Sequence, residues 1–304
     1  MRKPILVTGS HRSGSTWAGK SLALAPHTAY IHEPFNINIQ FGIISTPFNH
    51  WFQYICEENS DQYREVLRKV IYYEYPFIKH LTEAPSLGMV KKITIDQLHL
   101  LQHKIRNDTP IVKDPIALFS AEWLSQTFDM NVLVMIRHPA AFCSSLKLKN
   151  WKFDFNHFLN QPLLMDRYLG VFEKEIRKFS KNEQDIIDQG ILLWNCIHHT
   201  INIYQQNHLE WLFVKHENLS HNPVDQFQTI YKAFNLDFTP ESKSAILKST
   251  GTHNPVEQQR NNEFLRNSKE NILNWQSRLS QSEIERIREN TYKIASNFYN
   301  ENEW

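Results

Sequence analysis

The sequence predicts an α/β fold in three layers, a central parallel sheet with helices on both faces. Short apolar runs alternate with helical patterns along the chain, which is how a parallel sheet covered on both sides is built. The residues able to do chemistry fall just after those runs, and ligands of such sheets bind beyond the carboxyl ends of the strands. Of the 8 glycines, Gly9, Gly14 and Gly19 fall within the first 19 residues, which marks a special backbone there.

The elements follow in order. Ile5-Leu6-Val7 is a short buried strand ending at Thr8-Gly9. A helix is expected from about Ser15 to Ala25, stopped by Pro26. Thr28 to Ile31 is a second strand, left by the loop His32-Glu33-Pro34-Phe35-Asn36. Residues 37–56 are aromatic and irregular, and helices are expected near 61–80 and 96–106. Pro110-Ile111-Val112 forms a strand, followed by the loop Lys113-Asp114-Pro115 and a helix near 118–127. Asn131 to Ile136 is the clearest strand, and Pro139 suits the first turn of the next helix. Helical patterns then cover roughly 163–180 and 184–206, with a strand from Trp211 to Lys215. The rest is helical except for a polar loop near 251–268.

Composition excludes several classes. A formal net charge of +1 leaves no global basic field, so no nucleic-acid partner is expected and any anion site is local. Cys56, Cys143 and Cys196 form no CxxC and indicate neither a disulfide framework nor a zinc site. No apolar stretch is long enough for a signal peptide or a membrane span, so the expectation is a cytoplasmic protein without an integral membrane segment. The histidines lack any metal-ligand spacing, and no metal is expected.

The segment from Thr8 to Trp17 joins a strand to a helix. Its glycines allow an amide-lined turn, the helix start adds partial positive charge, and Ser13, Ser15 and Thr16 offer hydroxyls to phosphate oxygens. Gly14 through Ser21 matches GxxxxGK[ST] literally, with Lys20 as the lysine. That register starts too late after the strand and puts Trp17 in the phosphate wrap. The register from Gly9 to Thr16 starts where the strand ends; Ser15 then takes the lysine position and Arg12 carries the charge. A nucleoside triphosphate with Mg²⁺ normally needs that lysine, whereas a phosphosulfate can be held by amides, hydroxyls and one cation.

A second anion site is expected at Arg137, on a strand end, with Ser145 eight residues on along the next helix. The alternative is a structural Arg137 paired with a carboxylate. Taken together, the two sites point to a nucleotide phosphorylated at both ends.

These residues resemble the sulfotransferase superfamily that uses 3′-phosphoadenosine-5′-phosphosulfate (PAPS), a P-loop NTPase-like fold, and in particular its bacterial-type, glutamate-base branch. Arg12-Ser13-Gly14-Ser15-Thr16-Trp17 looks like the 5′-phosphosulfate loop, and Arg137 to Ser145 like the 3′-phosphate motif. His32-Glu33-Pro34-Phe35 falls where related enzymes carry a catalytic glutamate. Lys113-Asp114-Pro115 stands where small-molecule members have Lys-Thr-His, with Pro115 in place of the histidine, which favours Glu33 as base. Val214 to Leu219 and Trp275 to Leu279 resemble later family motifs, and 37–110 is the least family-like part.

The resemblance implies one sulfotransferase domain over 1–304, with 37–110 as an acceptor-specific insertion. It implies PAPS as co-substrate and a hydroxyl-bearing small molecule or glycan as acceptor, carbohydrate favoured; oligomeric state stays open. Glu33 would take the acceptor proton, and a partly desolvated carboxylate there is expected to have a raised pKa. Arg12 would stabilise charge; Ser13, Gly14, Ser15 and Thr16 would hold the 5′-phosphate, and Arg137 and Ser145 the 3′-phosphate. Trp17 would pack beside the adenine or in the core. Arg266, Ser268 and Lys269 would close over the 3′-phosphate. Lys113 and His32 would face the reaction centre, and Asp114 is the reserve base. The rival readings are a P-loop small-molecule kinase using Lys20 and a nucleotide-binding module without activity.

Overall fold

In the computed structural model five parallel strands form one sheet in the order β2–β3–β1–β4–β5. They are β1 (Ile5–Gly9), β2 (Thr28–His32), β3 (Thr109–Lys113), β4 (Asn131–Ile136) and β5 (Leu212–Lys215). The structure describes residues 3–38, 48–74, 87–250 and 272–304.

Successive side chains of a strand point to opposite faces, and here both faces are buried. Leu6, Val112, Val132, Val134 and Ile136 join one core; Ile5, Val7, Ile111, Leu133 and Met135 join the other. This is why the strands read as continuous apolar runs. Each such side chain contributes about 1.5–3 kcal/mol on full burial. The first core is covered by α4 (Ala121–Phe128), α5 (Pro139–Lys149), α7 (Ile186–Asn207) and α10 (Gln281–Ala295). The second is covered by α1 (Ser15–Leu22), α8 (Pro223–Ala233) and α9 (Pro240–Thr250). The three expected layers are present.

The chain leaves β1 for β2 and β3 on one side, then crosses to β4 and β5 on the other. β1 and β4 are neighbours at that reversal, the place where open α/β sheets hold ligands. Gly9 is paired with Met135, two residues before Arg137. His32 is paired with Lys113, which itself pairs with Val7. The motifs that follow Gly9, His32, Lys113 and Ile136 therefore all leave the carboxyl ends of the strands.

Several helices differ from expectation. α1 stops at Leu22 because the N–H groups of Leu24 and Ala25 reach back three residues, to Ser21 and Leu22 at 3.3 and 3.1 Å, tightening the last turn ahead of Pro26. The helix expected over 61–80 is α2 (Asp61–Ile71), closed by Tyr73 at φ 58° and a Glu74 N–H bond to the Lys69 carbonyl at 2.7 Å; residues 75–80 lie outside the described ones. α3 (Leu87–Arg106) begins earlier than expected. The pattern over 163–180 is not one helix: a π turn at Met165–Leu169 and a 3₁₀ turn at Gly170–Phe172 precede α6 (Glu173–Lys181). None of the described helices is long and apolar enough to cross a membrane.

Candidate functional site

The loop after β1 turns on two glycines in left-handed backbone, Gly9 at φ 124° and Gly14 at φ 82°. A Cβ on Gly9 would lie 2.2 Å from the Met135 carbonyl oxygen, so only glycine lets β1 and β4 run this close. That same oxygen accepts the Ser10 N–H at 3.1 Å. Gly14 is the N-cap of α1 and supplies no side-chain cap. The N–H groups of Ser15, Thr16 and Trp17 thus have no acceptor inside the helix, and a helix start of this kind receives anions. Lys20 lies in the last turn of α1, at the opposite end of the helix from the loop.

Arg12 Nε donates to Ser145 Oγ at 3.0 Å, joining the first anion motif to the second. Ser13 does not face outward: its buried Oγ donates to the Ser10 carbonyl and braces the loop from within.

Glu33 sits at φ 44°, a backbone conformation that costs a non-glycine residue about 1 kcal/mol or more. The end of β3 holds it there. The Glu33 N–H donates to the Lys113 carbonyl at 2.8 Å, and the Phe35 N–H to Asp114 Oδ2 at 2.6 Å. Asn36 closes the turn, its N–H on the Glu33 carbonyl at 3.1 Å and its Nδ2 on Glu33 Oε2 at 2.7 Å. Lys113 Nζ ends on Glu33 Oε1. Lys113 has no exposed side-chain surface, whereas Glu33 keeps 19%.

Burial pushes the Glu33 carboxyl up, but the charge and hydrogen bond of Lys113, the Asn36 amide and nearby His32 together hold it below its ordinary value. The expected raised pKa is therefore corrected in direction, because a buried cation ends on the carboxylate. Asp114 is wholly buried, and burial pushes it up to about 8 against the pull of the Phe35 and Ile116 amides. Its oxygens are engaged by those backbone donors, so it tethers the Glu33 turn.

One cleft, of about 280 Å³, gathers these parts. Arg12, Gly14, Ser15 and Thr16 line one side; His32, Glu33 and Asn36 line another. Among those described, His11, Asn36, Ile116 and Trp151 complete it, four residues that sequence reasoning did not single out for this site, together with Trp51 from the aromatic stretch 37–56. His11 packs edge-on to Phe142 and Trp151, at 4.9 Å from each, and burial drives its pKa down to about 3, so it is neutral.

Arg137 is not among the cleft-lining residues. It is 7% exposed, with Nε 3.8 Å from Glu217 Oε1 and no hydrogen-bond partner on that atom. Ser144 Oγ is also buried without a partner. A buried donor left unpaired costs about 1–3 kcal/mol. Glu217 is held in turn by the Tyr299 hydroxyl at 3.0 Å and the His138 N–H at 3.2 Å. Trp275 stacks on the His138 ring at 5.2 Å. The C-terminal segment thus braces the second anion motif.

Trp17 turns away from the cleft. It packs edge-on to Phe227 at 5.4 Å and to His216 at 6.1 Å, against the second core. Arg266, Ser268 and Lys269 lie outside the described residues. Among the described residues no group of three His, Cys, Asp or Glu side chains is placed to hold a metal ion.

A family model described as the Sulfotransferase family matches residues 4–240. No curated protein matches the chain. The structure is similar to the sulfotransferase domain from the curacin biosynthetic pathway, at 14% identity and TM-score 0.51, covering 96% of this chain and 98% of that one. It is similar to the sulfotransferase domain from the Synechococcus PCC 7002 olefin synthase, at 13% identity and TM-score 0.51, covering 99% and 97%. At these identities the likeness is one of fold.

Proposed function

The chain belongs to the sulfotransferase family, and from that premise we propose that it transfers a sulfuryl group from PAPS to a hydroxyl of a carbohydrate or other glycan-like acceptor, with Glu33 as the base. One observation carries the reading: the loop residues Arg12, Gly14, Ser15 and Thr16 and the carboxylate of Glu33 line the same cleft.

PAPS supplies an activated sulfuryl group on a phosphate leaving group. The 5′-phosphate would be held by the amides at the start of α1 with Ser15 and Thr16, while Ser13 keeps the loop in shape. Arg137, Ser144 and Ser145 would hold the 3′-phosphate. The hydrogen bond from Arg12 to Ser145 would then set the spacing between the two grips.

Positioning and charge stabilisation dominate such displacements. Glu33, kept ionised by Lys113, accepts the proton of the acceptor hydroxyl as its oxygen attacks sulfur. Arg12 offsets the charge that builds on the departing phosphate. His32 lies 4.0 Å from Glu33 Oε2 and would stand beside the acceptor. On this reading the whole chain acts as one domain, and 37–110 would contribute to the acceptor side through Trp51, which lines the cleft.

The test is direct. PAP should bind the wild type, and Glu33→Gln should keep that affinity while losing about 10²–10⁴-fold in turnover of radiolabelled PAPS with a glycan acceptor, the range for a lost general base. Normal turnover in Glu33→Gln would remove the base assignment; failure to bind PAP would remove the donor. A kinase is disfavoured because Lys20 stands at the wrong end of α1.

A further inference from the structure

We infer that the unit bearing the acceptor hydroxyl is a single electrically neutral ring, seated in the corner between Trp51 and Trp151. This rests on the sulfuryl-transfer reading of the cleft and says what the cleft selects. Both indoles line the cleft that holds Glu33 and Arg12. Their centroids are 6.1 Å apart and their planes meet at 71°. They form two walls of a corner, one for the face of a ring and one for its edge. Ile116 and Pro115 add apolar surface. The Trp151 wall is fixed to the phosphate loop, because its ring packs on His11, the neighbour of Arg12.

Charge decides against an anionic acceptor. Apart from histidines, the titratable side chains described in the lining are Arg12 and Glu33. His11 is neutral. His32 already faces Glu33, and its Nδ1 lies 3.2 Å from the Tyr30 hydroxyl. Lys113 is buried and ends on Glu33. An anionic ring beside Glu33 would meet a like charge, with the loop's Arg12 already opposite the sulfuryl group.

Size decides against a long buried acceptor. The cleft is about 280 Å³, at the small end of the ~300–1,000 Å³ range of ligand pockets, and it must also admit the sulfuryl group. One ring fits beside that group; further units of a larger acceptor extend outward.

The experiment uses the full chain, ¹⁵N-labelled and saturated with PAP, with the Trp51 and Trp151 indole N–H signals assigned from Trp51→Phe and Trp151→Phe. Methyl β-glucopyranoside and phenol are titrated beside their anionic counterparts, methyl β-glucuronide and 4-hydroxybenzoate. The expected result is that at least one neutral probe shifts both indole signals and binds about tenfold or more tighter than its anionic counterpart, a difference on the scale of one unpaired charge contact. The inference is overturned if neither neutral probe moves either signal, or if the anionic probes bind as tightly. Sugar and phenol arms separate the two sources of such a ring. PAP itself is followed through the Gly14 and Ser15 amides, so failure of donor binding registers separately. For an acceptor that is turned over, Trp51→Ala should raise its KM about tenfold, the worth of one aromatic contact, and leave the KM for PAPS unchanged; Trp51→Phe should recover most of the loss.

Discussion

Lys113, with no exposed surface, ends on the carboxylate of Glu33, so the proposed base is charged by a partner 80 residues further along the chain. The parallel pairing of His32 with Lys113 is what brings them together. The base is ionised at neutral pH, and proton transfer depends on its position at the cleft.

The acid limb of kcat/KM tests this pair. In the wild type Glu33 is held below its ordinary value, so the limb should lie in the acid range. In Lys113→Met the partner is gone and burial, which raises a carboxyl, acts alone. The limb should then move to higher pH by about one unit or more. A limb that stays in place would show that some other group sets it. Folding follows the same sign: a carboxyl lowered on folding stabilises the protein fully above its unfolded pKa, and that stability is lost as pH falls through the folded one.

Stability separates the pair's structural part from its chemical part. Glu33→Gln leaves the Lys113 charge buried against a neutral amide and should lower stability by about 3 kcal/mol, within the range for breaking a buried ion pair. Adding Lys113→Met removes the stranded charge and should recover most of that loss in thermal unfolding. Turnover should not recover, because the double variant still lacks the carboxylate. Activity returning together with stability would mean that Glu33 served only to neutralise Lys113.

The bond between Arg12 Nε and Ser145 Oγ makes a different prediction. Ser145→Ala should weaken PAP binding about 10-fold, the scale of one charge-assisted hydrogen bond of 1.5 kcal/mol. Arg12→Lys keeps the charge but cannot place a guanidinium across the two motifs, so it should lose turnover more than PAP affinity. Calorimetry with PAP and initial rates with PAPS would separate the two.

The sheet was legible because its inner strands β1, β3 and β4 are buried on both faces, and Ile5-Leu6-Val7 and Val132 to Ile136 are apolar without a break. The loop at Gly9–Thr16 was legible because glycine and hydroxyl residues crowd one strand end. Contacts made by strand order were not. Nothing local to Glu33 announces Lys113, and the direction of its pKa was misjudged for that reason. Trp51 and Trp151 come from segments that meet only in the folded chain. The strand end makes Asp114 legible as a reserve base, but not its bond to the Phe35 N–H, 79 residues away. Trp17 shows the opposite limit, since one helix offers a side chain to cleft or core and only packing against Phe227 decides.

The two loop glycines should differ in how they can be rescued. A Cβ on Gly9 meets the Met135 backbone at 2.2 Å, and β4 cannot move without breaking its pairing to β1 and β5. Gly9→Ala should therefore cost more than 4 kcal/mol, or fail to fold, as steric overlap adds to φ strain. A Cβ on Gly14 meets the His216 ring, with Nδ1 at 2.4 Å. That neighbour is a side chain, so Gly14→Ala with His216→Ala should relieve the overlap and leave only the left-handed backbone penalty of about 1–2 kcal/mol. Thermal unfolding of the single and double variants would show this recovery. If the Gly14→Ala defect persists undiminished in the double variant, the glycine is required for the backbone's shape alone. PAP affinity, measured on the same proteins, should follow the folded loop and return with it.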